Sequence, residues 1–413
     1  MEPLLPGRSG IAEKLIFLRV ALPFLAGYFV SYVYRMVNAV LAPTLAAEFG
    51  LTPAGLGLLS SVYFLSFAIV QLPLGVALDR FGPRRVNAAL LLVAAAGGAW
   101  FASAESAAAA IAARALIGLG VSACLMACLT AFVLWYPPER ISTMTGIAFS
   151  AGALGAMTVT VPLELLLRVW GWREAFLLIV AATVALSLVL WLWVPERRAT
   201  AHGEALADQL RGLRSLLRDP VFLRLAVCVG ASQSAAVALQ TLWVATWLRD
   251  VAGWSPAEVA RGLLAVNLSM IAGYLAFGRA ADAWQRRGRG ALPLLAAGVA
   301  LSSLSLGAII LGVHSLVLWC LFVGGGTAVV LAYSILARRY PKEMAGRVNT
   351  AVNVVGFVGM FAGQWGIGAV LSLWPQSAAG YAPQGYPWAL AMVWAVQLAG
   401  LAWLWSGRRV LTK

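Results

Sequence analysis

The sequence contains few charged residues, and very few of these are acidic. Only 11% of its 413 residues are charged, with 16 Asp and Glu against 30 Lys and Arg, whereas a typical soluble domain has about 25%. In contrast, 62% of the residues are hydrophobic and the mean hydropathy is +0.85. A water-soluble protein could not bury this much apolar surface, so the composition indicates a membrane protein.

Residues that commonly bind metals or perform catalysis are also scarce. The sequence has only two His, and neither lies within a long apolar segment. All four Cys lie within apolar segments, so no disulfide framework is expected. There is no GK[ST] phosphate-binding loop, which argues against ATP-driven transport. We therefore predict no enzymatic activity, no metal, no cofactor and no nucleic-acid partner.

Twelve apolar segments are long enough to cross a bilayer, which requires roughly 20 residues in a helix. Open strands cannot cross lipid, and these segments are too long for barrel strands, so all are expected to be helices. The predicted spans are 15–42, 54–78, 84–104, 107–135, 142–166, 173–195, 220–248, 256–280, 291–313, 315–337, 346–373 and 386–406.

A loop pattern occurs twice in the chain and indicates an internal duplication. The first copy, GVALDRFGPRR, contains Gly75, Asp79, Arg80, Gly82, Arg84 and Arg85, and the second, GRAADAWQRRG, contains Gly278, Asp282, Arg286 and Arg287. A Tyr-Pro pair at residue 136 recurs at residue 340, at nearly the same offset. Such repeats predict two six-helix bundles related by pseudo-two-fold symmetry. We assign them to residues 1–195 and 220–413, joined by a linker at 196–219.

The repeated pattern resembles the loop signature of the major facilitator superfamily, where it joins the second and third spans of each half. The resemblance covers the whole chain and implies an all-α membrane transporter that works by alternating access. It also implies a conformational latch on the cytoplasmic side, formed by Gly75, Asp79, Arg80, Gly82, Arg84 and Arg85 together with Asp282 of the second copy.

The distribution of basic residues predicts the orientation of the chain. Of the 30 Lys and Arg, 24 fall on one side of the predicted spans, and such an excess marks the cytoplasmic side. Both termini are therefore expected in the cytoplasm, with the protein as a multi-pass component of the cell inner (plasma) membrane. The linker has Arg and Leu at helical spacing, which predicts an amphipathic helix on the membrane surface, with a solvated linker as the alternative.

Two arginines lie deep within predicted spans, away from both ends, Arg35 in the first and Arg114 in the fourth. Charged groups at membrane depth are costly and usually functional, and arginine cannot shed its charge. None of the acidic residues lies in the middle of a span, although Glu164 comes closest. Two cations at one depth without an acidic neighbour predict an anionic ligand. Alternatively, Arg114 has a structural role, pairs with Glu164, or is satisfied by backbone carbonyls.

The first span, GYFVSYVYRMVNAVLAP, resembles that of the organophosphate:phosphate antiporters and the anion:cation symporters, in which an Arg at this place faces anionic substrate. The seventh span departs from the organophosphate pattern, because its segment SQSAAVALQTLWVATWL has no Arg partner and offers Gln233, Gln240, Trp243 and Trp247 instead. The predicted substrate-binding residues are Arg35, Arg114, Tyr28, Tyr32, Asn38, Gln233, Gln240, Trp247, Asn353 and Gln364. Ordinary hydrogen bonding between helices is the alternative for each of the neutral residues.

These observations predict a secondary active transporter, a symporter or antiporter, that moves a small organic anion. A proton-coupled drug or metabolite exporter is the alternative, although it usually needs a mid-span carboxylate that the sequence lacks. A non-transporting membrane protein on the same fold is a third possibility. The sequence leaves undecided whether protons are a coupling ion. The protein is expected to be a monomer in the lipid bilayer.

Overall fold

The computed structural model of the protein describes residues 14–197, 211, 214–340, 345–377 and 380–407. Twelve of its helices are long and apolar enough to cross a membrane, which confirms the predicted fold class. They are α1 Lys14–Glu48, α2 Pro53–Phe81, α3 Pro83–Ala102, α4 Ala107–Trp135, α5 Pro138–Thr158 with Val161–Leu167, α6 Trp172–Trp193, α7 Pro220–Asp250, α8 Pro256–Arg286, α9 Leu292–Ile310, α10 Leu316–Gly326 with Thr327–Val330 and Leu331–Arg339, α11 Ala345–Leu371 and α12 Tyr386–Ser406. Between α11 and α12, strands β1 (Gln376–Ser377) and β2 (Gly380–Tyr381) pair antiparallel.

Residues just outside the apolar segments fix where the helices begin and end. The Thr52 side chain accepts a hydrogen bond from the Gly55 N–H at the start of α2, and Ser255 and Glu258 form a capping box at the start of α8. Both devices satisfy N–H groups that have no partner within the helix. Gly82, with φ of +82°, ends α2 in a conformation that favours glycine, so α3 can begin at once.

Several helices, among them α1, α2 and α8, continue beyond the C-terminal ends that the apolar pattern predicts. α1 continues through Pro43 to Glu48 and α2 continues to Phe81, because a helix runs until its backbone is capped and not only while its side chains are apolar. As a result, Asp79 and Arg80 lie on the last turn of α2. The predicted linker helix at 196–219 falls mostly outside the described residues.

Small residues in α4 and α5 let these helices pack directly on the backbones of their neighbours. A Cβ atom added at Gly118 would lie 2.4 Å from the carbonyl oxygen of Tyr63 in α2, and one at Gly120 would lie 2.2 Å from the backbone nitrogen of Ala94 in α3. Such approaches are typical of small residues at membrane helix interfaces. They hold the α4 turn that carries Arg114 against the first half's other helices.

The first six and last six helices touch at the face of the bundle opposite the chain ends, called here the far face and formed by loops 49–52 and 251–255. The Ala54 N–H of α2 donates a hydrogen bond of 3.0 Å to the Ser372 hydroxyl, just after α11. A Cβ atom added at Gly368 of α11 would lie 2.3 Å from the Pro53 carbonyl oxygen. α2 and α11 therefore close this face by direct backbone contact.

Candidate functional site

Arg35 lies on α1 at the middle of the bundle, where the two halves meet. Its guanidinium carbon is 4.6 Å from the ring centroid of Tyr32, 5.8 Å from that of Phe67 in α2 and 5.9 Å from that of Phe357 in α11. The Phe67 and Phe357 rings are themselves 4.3 Å apart. The side chain is only half-buried, and its Nε has no hydrogen-bond partner among the described residues. Arg35 is thus a partly exposed cation that aromatic rings stabilise.

Arg114 lies directly beside α1 and is fully buried, with 1% of its surface exposed. Its Nη2 donates a long hydrogen bond of 3.5 Å to the carbonyl oxygen of Arg35, and its guanidinium carbon is 4.9 Å from the Tyr63 ring centroid. Its Nε and Nη1 have no partner within the described part of the chain. The structure therefore places the Arg114 guanidinium against the backbone of Arg35.

Neither arginine forms an ion pair with a described acidic side chain. Glu164, the acid that the sequence places nearest to membrane depth, pairs instead with Arg168 one turn away, at 2.9 Å. An ionised guanidinium in a low-dielectric interior is costly unless its donors are satisfied. The unpaired donors of Arg35 and Arg114 are therefore suited to an anion or to water.

Tyr28 and Tyr32 of α1 lie on the side of the site formed by the first half. Their rings meet edge to face, with centroids 5.1 Å apart, and Tyr32 is the ring that contacts Arg35. Phe149 of α5 lies 6.3 Å from Tyr28 and 6.5 Å from Tyr274 of α8, so these rings connect the two halves. In α10, the Tyr333 hydroxyl donates a hydrogen bond of 2.8 Å to Asn353 Oδ1.

Two of the predicted polar residues connect helices through their side chains. The Asn38 amide, fully buried, donates to the Ser60 hydroxyl of α2 at 3.0 Å. Gln240 donates to Asn267 of α8 at 2.7 Å. These two bonds match the helix–helix alternative. Gln364 lies at the far face, where its backbone carbonyl oxygen accepts from the Trp243 indole at 3.0 Å, and its buried side-chain Oε1 has no partner among the described residues.

α7 contains a π-helical turn at Leu239–Trp243, which changes the positions of the predicted residues. Because such a turn adds a residue, the side chains on either side of it no longer share the face that the sequence spacing predicts for Gln233, Gln240 and Trp247. Trp247 packs at 5.3 Å against Trp319 near the far face, and Gln233 is half-buried beside Gly356 of α11. Neither is shown in contact with the arginines.

The predicted latch residues lie where α2 ends and α3 begins, on the side of the chain ends. Gly75 and Asp79 are half-buried on α2, whereas Arg80 and, on α8, Asp282 are exposed. Arg84 and Arg85 both bind the Glu196 carboxylate, at 3.2 and 3.0 Å. This connection to the residue that follows α6 was not predicted from the sequence.

Tyr63 contacts Arg114, and Tyr333 bonds Asn353, but neither tyrosine was predicted from the sequence. The sequence could have indicated them, because the hydroxyl group of a tyrosine within a membrane span needs a hydrogen-bond partner. Tyr63 donates to the Ser31 carbonyl oxygen at 3.3 Å, and its ring faces Arg114.

Comparison with known proteins identifies the family. A sequence model of the Major Facilitator Superfamily matches residues 24–364, so the chain belongs to this superfamily. The members of this superfamily are transporters and not enzymes. The fold is similar to a solved bacterial homologue of the human lysosomal transporter Spinster, in its inward-facing and unoccupied conformation. That comparison gives a TM-score of 0.80 and 16% identity, and covers 98% of both chains.

Two curated relatives differ in what they transport. The chain is 28% identical over 279 residues to the "Probable sulfoacetate transporter SauU" of Cupriavidus necator. This match covers 65% of the chain but only 59% of the relative's length. The chain is also 24% identical over 382 residues to a quinolone resistance transporter of Acinetobacter baumannii. That second match covers 86% of the chain and 87% of the relative.

Proposed function

We propose that the protein is a secondary active transporter that moves a small organic anion by alternating access. The observation that carries the proposal is the pair of neighbouring arginines, Arg35 and Arg114, that no described acidic side chain neutralises. Arg35 binds the anionic group, since its side chain is accessible and its planar fork fits a carboxylate or sulfonate. Arg114, fully buried, provides the second positive charge at the same depth.

The two halves contribute different groups to the bound anion. The first half provides both arginines with Tyr28 and Tyr32, and the second half provides Tyr274, Tyr333 and Asn353. In this proposal, hydroxyl groups from α8 and α10 also bind an anion that is held on Arg35. Binding therefore favours the conformation in which the halves approach each other, which couples substrate to closure.

The direct contact of α2 and α11 at the far face fits an inward-facing state. In this proposal the far face is extracellular, the chain ends are cytoplasmic, and the protein works as a monomer in the inner membrane. The duplicated loops at the ends of α2 and α8, with Asp79, form the latch that closes the cytoplasmic side in the other state. Two bundles, 1–195 and 220–413, rock about the site between them.

A proton-coupled drug or metabolite exporter is the second candidate. The similarity to a quinolone resistance transporter over 87% of that protein's length favours it. The aromatic rings of Tyr28, Tyr32 and Tyr274 could also hold a planar drug. No described carboxylate lies beside Arg35 to bind a proton, so such an exporter would need a peripheral acid such as Glu164.

A ligand screen on purified protein distinguishes these functions. Thermal unfolding is measured with panels of carboxylates, sulfonates, phosphates, sugars and quaternary amines. The best hit is then tested for counterflow of labelled ligand in proteoliposomes. Stabilisation by organic anions and counterflow of the same compound is the expected result. Stabilisation by amines alone would support the exporter, and binding without counterflow would show that the ligand is not transported.

A further inference from the structure

A separate cavity lies on the outer surface of the first half, away from Arg35. It has a volume of about 410 Å³ and opens between α2, α3 and the end of α6. Its wall is almost entirely apolar, with Val70, Leu74, Phe81, Leu90 and Trp191 among the lining residues. Phe81 and Trp191 are each about half exposed. In a membrane-spanning protein, this surface faces lipid.

The one charged residue that lines this cavity is Arg85, at its rim. Arg85 and Arg84 share the single carboxylate of Glu196, and Arg84 also donates a 2.9 Å hydrogen bond to the Val194 carbonyl oxygen. Two guanidinium groups on one carboxylate leave this cluster of three side chains with one positive charge. The Arg85 side chain remains 44% exposed, so it is available to a further anion.

A dry cavity with a fixed cationic rim is complementary to a molecule that has a hydrocarbon chain and an anionic head. Phe81 ends α2 and Arg85 lies in the first turn of α3, so the rim stands at the level of the lipid headgroups. Basic sites at this level on transmembrane helices attract anionic lipids. A zwitterionic lipid would fill the cavity equally well but would gain less from the net positive rim.

We propose that this cavity binds one anionic phospholipid of the bilayer, with an acyl chain against Val70, Leu74 and Trp191 and the phosphate on Arg85. Arg85 is suited to the phosphate because its guanidinium can donate two parallel charge-assisted hydrogen bonds. The lipid site is independent of the transported anion, which binds between the halves.

Native mass spectrometry of the full-length protein in detergent tests this site. The protein is mixed with equal amounts of phosphatidylglycerol and phosphatidylcholine, and bound lipid is counted as the collision energy is raised. One phosphatidylglycerol per protein should persist at energies that remove phosphatidylcholine. Arg85→Gln should reduce this preference by roughly five-fold, the effect expected for one basic residue at an anionic lipid surface.

Three further variants separate the site from general lipid coating. Ala89 lines the cavity, so Ala89→Trp should fill it and remove the persistent lipid without changing any charge. Arg85→Lys should lose less of the preference than Arg85→Gln, because it keeps the positive charge but not the two parallel hydrogen bonds, and it provides a second measurement if Arg85→Gln cannot be purified. Arg289→Gln is the matched control, since Arg289 stacks on Trp284 on the same side of the second half. It should bind lipid like the wild type.

Three results would overturn the proposal. Equal persistence of the two lipids on the wild-type protein would mean that only annular lipid is bound. An equal loss in Arg85→Gln and Arg289→Gln would show that the attraction is not local. Persistence of phosphatidylglycerol on a monodisperse Ala89→Trp protein would place the lipid elsewhere.

Discussion

Arg35 and Arg114 are permanent cations that aromatic rings stabilise only in part. A desolvated cation–π contact contributes about 2 kcal/mol, whereas a charge at membrane depth costs at least about 2.5–3.5 kcal/mol. The Arg35 guanidinium contacts aromatic rings of both α1 and α11 and is partly exposed. The Arg114 side chain is fully buried, and two of its nitrogens have no hydrogen-bond partner among the described residues. A bound anion is the group that would offset the remaining cost for both residues.

Tyr274 is the second-half residue that we expect to reach the anion on Arg35. Tyr274→Phe removes only the hydroxyl group, so the ring packing against Phe149 should remain. Loss of one hydrogen bond to a charged group, about 1.5–3 kcal/mol, should weaken anion binding at least ten-fold. Titration calorimetry on the purified variant measures this. Tyr381→Phe, outside the predicted site, is the control, and equal affinities in all three proteins would exclude Tyr274 from the site.

At the level of helices, small residues decide where α4 lies and therefore where Arg114 lies. Gly120→Ala would put a Cβ atom 2.2 Å from the Ala94 backbone nitrogen, so α3 and α4 must separate. Overpacking of this kind costs about 1–3 kcal/mol. The unfolding temperature should fall, whereas in the matched variant Gly146→Ala, with nothing within 4 Å of the new atom, it should be unchanged or higher. A similar fall in both variants would contradict the packing described here.

Asp79 lies in the last turn of α2, on the side of the membrane where the chain begins and ends. It is far from Arg35, which lies at the middle of the bundle. Asp79→Asn should slow transport severely and leave substrate affinity nearly unchanged, because the residue acts on the conformational equilibrium and not on the ligand. Asp282→Asn should have a smaller effect, since its flanking pattern is degraded and Asp282 is exposed. Transport rates and binding constants are measured on the same preparations. Lost binding at an unchanged rate per bound molecule would refute the latch role.

Hydrophobic periodicity predicted the helices far better than their irregular turns. Long apolar runs dictate spanning helices, because lipid offers no partner for backbone groups, and all twelve spans are present in the structure. The π-helical turn at Leu239–Trp243 has no comparable signal, since it depends on how α7 packs against α1 and α11. For this reason the spacing of Gln233, Gln240 and Trp247 suggested a shared face that the structure does not have. In contrast, Arg35 and Arg114 could be singled out from the sequence alone, since a charge within an apolar run is rare.

For the whole molecule, the contact of α2 with α11 at the far face predicts a way to stop the transport cycle. Ala54 and Ser372, joined by a hydrogen bond, are placed in opposite halves. In a variant without the four native Cys, Ala54→Cys with Ser372→Cys should be cross-linked by a short bifunctional thiol reagent. The cross-linked protein should still bind substrate but should not transport it, whereas either single Cys variant should remain active after the same treatment. Full transport by the cross-linked protein would show that the far face need not open.

The most direct test of the anion site is a binding titration on Arg35 variants, using the anion that best stabilises the wild-type protein. Arg35→Gln should fold and purify but bind the anion at least ten- to a hundred-fold more weakly, because it loses charge-assisted hydrogen bonds of about 1.5–3 kcal/mol each. Arg35→Lys should remain impaired, since an ammonium group cannot form the bidentate contact. Arg289→Gln should bind like the wild type. Wild-type affinity in a well-folded Arg35→Gln protein would show that Arg35 is structural and that the anion binds elsewhere.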